Sequence, residues 1–325
     1  MYYAAACQTD FPCPTERSQI KDRTRRMCEI AEQTILGYEP FFDVRLLAFP
    51  EFAHAVPIHE SAEKLLRHLA IPVPNEHTDR YHALARKYGC YIQTGSFLER
   101  DDDYPGAVFN TTALVGPDGV LAKYRKVNTW IPWEVHASPH DFPDYGEDPF
   151  PVVDTELGKL GVAICYDWLF PETIRELAFR GAEVLIRVSA YMDPWGTASP
   201  MDWWTLVNRT RALENTAYVV AANQGAEMKH YPPFGWPGGS MVVDYDGRIL
   251  AQADPGPGEK AVVAPVNLAM LREERARRIG HDTRAHYRSA IHGYAGQERL
   301  QPAAGAAITI DSLKARIAAA KQGLN

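Results

Sequence analysis

Apolar and polar positions alternate along this chain in short blocks of two periods. Residues 2–9 are dominated by apolar side chains and predict a strand, after which Thr15-Glu16-Arg17-Ser18 opens a helix running to about Leu36. The run Leu46-Leu47-Ala48-Phe49 predicts a short buried strand ending at Pro50-Glu51. Helical spacing returns over 60–69 and 75–88, the second stretch behind an Asn75 cap. Strands follow at 90–98 and 108–115, and Gly116-Pro117-Asp118-Gly119 turns the chain into another at 120–124.

A second half repeats the alternation. Val152-Val153 and the 160–164 segment flank a turn at Glu156-Leu157-Gly158-Lys159, and a helix starts near Pro171-Glu172, with proline in its favoured first turn. A strand at 184–188, a long helix at 200–216 and an apolar strand at 218–223 come next. Segments 241–244 and 248–252 pair across Tyr245-Asp246-Gly247, and 261–266 is a last strand. Strands interleaved with helices indicate α/β layering, and the Asp-Gly turns indicate mixed sheets. No linker divides the chain.

Composition narrows the class. At roughly 150 residues per domain, 325 residues suggest about two domains, although one α/β unit of this length is common. The 46% hydrophobic and 23% charged content excludes global disorder. A net charge of −7 with no basic run gives no reason to expect nucleic-acid binding. The start of the chain reads as a strand rather than a signal peptide, and no apolar run nears the ~18 residues of a membrane span. Five scattered cysteines without a C-x-x-C pair exclude a disulfide framework or zinc ribbon, and suit a reducing, cytoplasmic setting. With no metal-ligand cluster and no phosphate loop, no metal or other cofactor is expected. Residues 271–288 concentrate Arg272, Arg275, Arg277, Arg278, Arg284 and Arg288. They form either a solvated, partly helical extension or an arm that packs on a second subunit. Residues 310–321 predict a terminal helix.

Three strand ends carry chemistry. In Leu160-Gly161-Val162-Ala163-Ile164-Cys165-Tyr166-Asp167 a buried strand stops at a cysteine shortly before a helix. There a thiol is near free backbone N–H groups that stabilise a thiolate or an oxyanion, unless Cys165 is simply a small core residue. Glu51 follows another buried strand, either as an exposed strand-end carboxylate or as a buried one with a raised pKa, suited to a general base. Lys123-Tyr124-Arg125-Lys126 closes a third strand, as a solvated basic edge or as a buried cation beside an anionic centre.

Phe49-Pro50-Glu51, Tyr124-Arg125-Lys126 and Gly161-Val162-Ala163-Ile164-Cys165-Tyr166-Asp167 together resemble the three catalytic motifs of the nitrilase, or carbon–nitrogen hydrolase, superfamily. Thr94-Gly95-Ser96-Phe97, 110–115 and 211–215 resemble flanking parts of that family, and the likeness runs from about residue 2 to 267. It implies a four-layer α-β-β-α sandwich over residues 1–270, with 271–325 as a C-terminal extension and candidate oligomerisation arm. It also implies Cys165 as nucleophile, Glu51 as general base and Lys126 as the positive group. The 126–134 segment, containing Trp130, Ile131, Pro132, Trp133 and Glu134, is similar to that of aliphatic amidases and formamidases, as are Ile186-Arg187 and Tyr191-Met192. Glu134 would then position the substrate. Trp130, Tyr166, Trp168 and Tyr191 are the expected substrate-binding residues, the tryptophans either walling an apolar pocket or packing in the core.

The implied reaction is hydrolysis of a small amide to a carboxylic acid and ammonia through a thioester, in a homo-oligomer of two or more subunits. Phe52 departs from the amidase pattern, which commonly has tyrosine there, and Ser189-Ala190 and 136–145 also follow it poorly. One alternative is an N-carbamoyl amino acid or aryl-substituted amide hydrolase. Trp168, Leu169 and Phe170 stand where carbamoylases often place arginines. The rival from another class is a catalytically silent assembly or binding module.

Overall fold

The computed structural model describes all residues except 131–132, 198–200, 233, 289–290, 293–299, 302, 304–307 and 323–325. Ile131 and Pro132 of the amidase-like segment, residue 200 at the expected start of a helix, and parts of the C-terminal extension therefore lie outside the described residues. In chain order the first half runs β1 (Tyr2–Gln8), α1 (Ile20–Tyr38), β2 (Val44–Ala48), α2 (Ala62–His68), α3 (Glu76–Tyr88), β3 (Tyr91–Glu99), β4 (Phe109–Gly116) and β5 (Gly119–Arg125). It continues with β6 (Val152–Thr155), β7 (Gly158–Ile164), α4 (Pro171–Phe179), β8 (Val184–Ser189), α5 (Trp203–Asn215) and β9 (Tyr218–Asn223). Then come β10 (Met241–Val243), β11 (Ile249–Gln252), β12 (Lys260–Val266), α6 (Leu268–Arg277) and α7 (Ile310–Lys321).

The strands form two six-stranded sheets, ordered β12-β1-β2-β3-β4-β5 and β6-β7-β8-β9-β10-β11. Both have the same plan. Three parallel strands, β1-β2-β3 or β7-β8-β9, lie between one antiparallel strand on one side and two on the other. The alternation of side chains across each strand fills three apolar layers. Ala4, Ala6, Leu46 and Ala48 of the first sheet meet Leu160, Val162, Ile164, Ile186 and Val220 of the second. On the other face of the first sheet, Ala5, Leu47 and Ile92 pack under Met27, Ile30 and Ala31 of α1 and Tyr81 and Ala85 of α3. Leu177 of α4 and Trp204 and Ala212 of α5 cover Leu185 and Val219 on the far side of the second sheet. The result is the α-β-β-α sandwich with mixed sheets.

Local signals set the element ends. The Asn75 carboxamide oxygen accepts from the His77 and Thr78 N–H groups at 2.7 and 3.0 Å, capping α3. The helix expected from Thr15 begins instead at Ile20, behind a 3₁₀ turn, Arg17–Gln19. There the Gln19 side-chain oxygen takes the Thr15 and Glu16 N–H groups at 2.6 and 3.1 Å, so these donors are met by a side chain before the helix begins. The long helix α5 starts at Trp203, capped by the Asp202 carboxylate.

The arginine-rich segment is largely engaged within its own chain. Arg272 binds Glu183 at 2.6 Å, Arg275 donates to the carbonyls of Thr216 and Ala182, and Arg278 reaches Asp246 and Glu274. Leu271 is buried in the core, and Leu313 seats α7 against the first sheet's layer, where Arg316 meets Asp141 at 3.1 Å. No helix among the described residues is long and apolar enough to cross a membrane.

One close approach matters for the strand end that carries Glu51. Gly95, in the middle of β3, has φ +75°, and a β-carbon there would stand 2.5 Å from the Pro50 carbonyl oxygen and 2.7 Å from Ala53 Cβ. Gly95→Ala is expected to lower stability by about 2–3 kcal/mol through overpacking and a left-handed backbone. Urea denaturation reads this directly, and an unchanged midpoint would contradict it.

Candidate active site

The carboxyl ends of β2, β5 and β7 converge at one edge of the sandwich, where ligands commonly bind in open α/β sheets. Glu51 follows β2, Lys126 follows β5 and Cys165 follows β7. All three are buried, at 1%, 0% and 7% exposure. Burial rules out the solvated readings of Glu51 and Lys126, whereas Cys165, read otherwise as a small core residue, is buried but lines the cavity.

The Lys126 ammonium lies between two carboxylates, 2.7 Å from Glu51 Oε1 and 2.7 Å from Glu134 Oε1. Asn110 Nδ2 also donates to Glu51 Oε1 at 2.8 Å, and the Ala190 N–H donates to Glu51 Oε2 at 2.9 Å. The second sheet thus holds the first sheet's glutamate, and the Glu51 N–H returns the bond to the Ser189 carbonyl. Gln224 Nε2 fixes the Glu51 carbonyl at 2.8 Å and is itself held by the Thr9 hydroxyl. Glu134 Oε2 accepts from the Trp130 N–H at 3.0 Å, with His136 Nδ1 at 3.7 Å.

Protonation follows from this arrangement. Burial opposes the charge of Lys126, but Glu134, Glu51 and Cys165 outweigh it and hold the group above the ordinary lysine value. Burial raises Glu51 above its ordinary value, with help from the Glu134 charge, while Lys126 and the Cys165 thiol oppose the rise. Burial pushes Glu134 up too, but Lys126 and His136 overcome it and bring the group down to about 2. The Cys165 thiol is pushed up to about 12 by burial and by Glu51, against the pull of Lys126 and Arg187. A thiol with a raised pKa and a carboxylate with a raised proton affinity thus line the same cavity.

The backbone around Cys165 is unusual. Its φ of 45° places a non-glycine residue in the left-handed region, as does the 56° of Phe52 beside Glu51. Such conformations cost on the order of 1–3 kcal/mol and persist where neighbours fix them. Asp167 supplies the fixing at Cys165. Its carboxylate accepts from the Ile164 N–H at 3.0 Å, the Tyr124 hydroxyl at 2.8 Å, and Asn128 through its N–H at 2.7 Å and side chain at 3.1 Å. Burial lifts its pKa to about 6.

A cavity of about 240 Å³ opens over these groups. Glu51, Glu134, Cys165, Trp130, Tyr166 and Tyr191 line it, so the fold gathers most of the residues the sequence singles out. Trp168 is not among them. It is fully buried beneath, its indole N–H on the Ala163 carbonyl at 3.1 Å and its ring 5.3 Å from the Arg187 guanidinium carbon. Phe52 lines the cavity with a bare ring, packed edge-on to Trp133 at 5.8 Å. The sequence reading missed Asn110, Asp167 and Gln224. A polar side chain inside an apolar strand was the available signal for Asn110, and a carboxylate two positions beyond a strand-end cysteine was the signal for Asp167.

This chain belongs to the carbon–nitrogen hydrolase family, whose family model matches residues 3–276. It is a hydrolase of C–N bonds from the nitrilase superfamily, in an amidase/formamidase-like branch. A formamidase from Bacillus cereus (strain Q1) is 30% identical over 263 residues, covering 79% of this chain and 72% of the relative. The crystal structure of Saccharomyces cerevisiae Nit3, a member of branch 10 of the superfamily, superposes with TM-score 0.70 at 26% identity, covering 86% of this chain and 95% of that one. A variant of the amidase from Nesterenkonia sp. AN1 shows the result of Michael addition of acrylamide at its active site cysteine. It superposes with TM-score 0.59 at 25% identity, covering 85% of this chain and 97% of that one.

Removing the shared cation tests the electrostatics. Glu134, depressed to about 2 when folded against an ordinary 4.5, contributes stability above pH 4.5 that is lost as pH falls toward 2. Without Lys126, burial dominates both carboxylates, the folded state binds more protons, and stability falls as pH rises past 4.5. Lys126→Met is expected to cost about 3–5 kcal/mol at pH 7 and less at pH 5. Urea midpoints across that range check the sign. A deficit that does not shrink toward pH 5 would refute it.

Proposed function

We propose that this chain hydrolyses a carboxamide to a carboxylic acid and ammonia, with Cys165 as nucleophile and a thioester as intermediate. The observation that carries the reading is that Cys165, Glu51 and Glu134 line one cavity while the buried Lys126 ammonium binds both carboxylates at 2.7 Å. A thiol raised to about 12 is no nucleophile at neutral pH without a base in contact with it. Glu51 takes the proton as sulfur bonds to the amide carbon. The carbonyl oxygen gains the charge, and two donors face it. Lys126 has three N–H groups and gives two to carboxylates, leaving one. The Tyr166 N–H belongs to the first turn of the 3₁₀ helix Cys165–Leu169 and has no acceptor within that turn.

Collapse of the tetrahedral intermediate breaks the C–N bond, and Glu51 passes its proton to the departing nitrogen to give ammonia. Water then attacks the thioester and gives a proton to Glu51, which returns it to sulfur as the acid leaves. Glu134, ionised because its pKa is about 2, accepts a hydrogen bond from the substrate amide N–H and aligns the carbonyl over sulfur. Acrylamide addition at the cysteine of the Nesterenkonia amidase supports the same atom as the reactive centre here. The same reading has copies of the chain associating, which sedimentation at one chain's mass would contradict. The five cysteines, unpaired in the fold, suit a reducing compartment.

Ammonia release from an amide panel tests the chemistry. Cys165→Ala should reduce it by at least about a thousandfold, and near wild-type release would refute the nucleophile. The pH dependence has a defined sign. Glu51 must be ionised to accept the thiol proton, so kcat/KM falls as pH drops through its raised pKa, giving an acid limb above 4.5. A limb at or below 4.5 would exclude Glu51 as the base.

A further inference from the structure

The cavity over Cys165 is larger and more aromatic than a one- or two-carbon amide requires. Its volume is about 240 Å³. Acetamide has four non-hydrogen atoms and would leave most of that space wet. An apolar cavity of about 150 Å³ suffices elsewhere to hold benzene, which leaves room here for a carboxamide as well as a ring. The loops after β2 and β5 contribute Phe52, Trp130 and Trp133, and the chain after β8 contributes Tyr191, Trp195 and Trp203.

Charge narrows the occupant further. The ionisable carboxylates in the lining, Glu51 and Glu134, are tied to Lys126, and no lysine or arginine is present among the described lining residues. Residues 131–132 and 198–200, which adjoin these segments in sequence, are Ile, Pro, Ala, Ser and Pro and bring no charge. Beyond Lys126 at the reacting carbon, a substrate carboxylate would find no cation among the described walls, so an N-carbamoyl amino acid does not suit the site. A neutral, flat ring gains twice. It replaces water over apolar walls, and its edges and faces meet aromatic side chains from both sheets.

We infer that the substrate is a neutral primary amide whose acyl group carries an aromatic ring, of the size of phenylacetamide, rather than formamide or acetamide. This inference rests on the amidase reading above. Burial of one ring in the transition state predicts a kcat/KM for phenylacetamide about a hundredfold above that for acetamide, and several-fold above that for cyclohexylacetamide. Trp195→Ala, at a position 38% exposed on the rim, should shrink the first ratio about tenfold.

Ammonia release by the full-length enzyme is measured for the three amides, with calorimetric binding of phenylacetamide and acetamide to Cys165→Ala alongside. The predicted ratios, narrowed in Trp195→Ala, support the inference. Acetamide turned over as well as phenylacetamide, or cyclohexylacetamide preferred, overturns it while leaving amide hydrolysis intact. Preferential binding of phenylacetamide without turnover of any amide supports the pocket's assignment and overturns the amidase reading. Neither preference nor turnover overturns both.

Discussion

An ammonium group shut off from water has to be met by anions, and Lys126 is met by two. Glu51 and Glu134 each approach it to 2.7 Å in a site where none of the three is more than 2% exposed. One cation between two carboxylates is not neutral, and the imbalance sets the two carboxylates apart. Glu134 keeps its charge, helped by His136 and by the Trp130 N–H. Glu51, on the same cavity as the Cys165 thiol, has its proton affinity raised. Two carboxylates of the same kind are thereby given different properties, one fixed as an acceptor and the other able to take and release a proton.

That ion cluster also explains why two sheets are needed. Glu51 and Lys126 come from the first sheet, Cys165 from the second, and the Ala190 N–H of the second sheet binds the Glu51 carboxylate of the first. The apolar layer between the sheets brings these strand ends into register, with Ala4, Ala6 and Ala48 small enough to let the sheets approach. Asp167 then holds the left-handed turn at Cys165 by tying Ile164 to Tyr124 and Asn128. A shift of either sheet would move Cys165 away from Glu51.

Much of this is legible in the residue order alone. Period-two and helical spacing located nearly every element, because each strand and helix buries one face and the burial is written in residue order. The chemistry-bearing residues Glu51, Lys126 and Cys165 stood out because each ends an apolar strand. Other features were not legible, for a common reason. Asn110 and Gln224 act through partners 59 and 173 residues away, and nothing local announces such bonds. Trp168 sits three residues from Cys165 and was expected in the pocket, but the 3₁₀ turn directs its ring under the sheet edge toward Arg187. The tail's arginines read equally as a free arm, since the acceptors Glu183, Ala182, Thr216 and Asp246 lie far away in sequence.

The central claim is that the buried cluster turns Cys165 into a nucleophile that carries the acyl group. Acid-quenched mass spectrometry of the enzyme during turnover of an amide reads that most directly. The account predicts a single acyl group, heavier than the free thiol form by the amide minus ammonia, on the peptide containing Cys165. Ammonia formation with no such adduct, or with the adduct on Cys7, Cys13, Cys28 or Cys90, would contradict it.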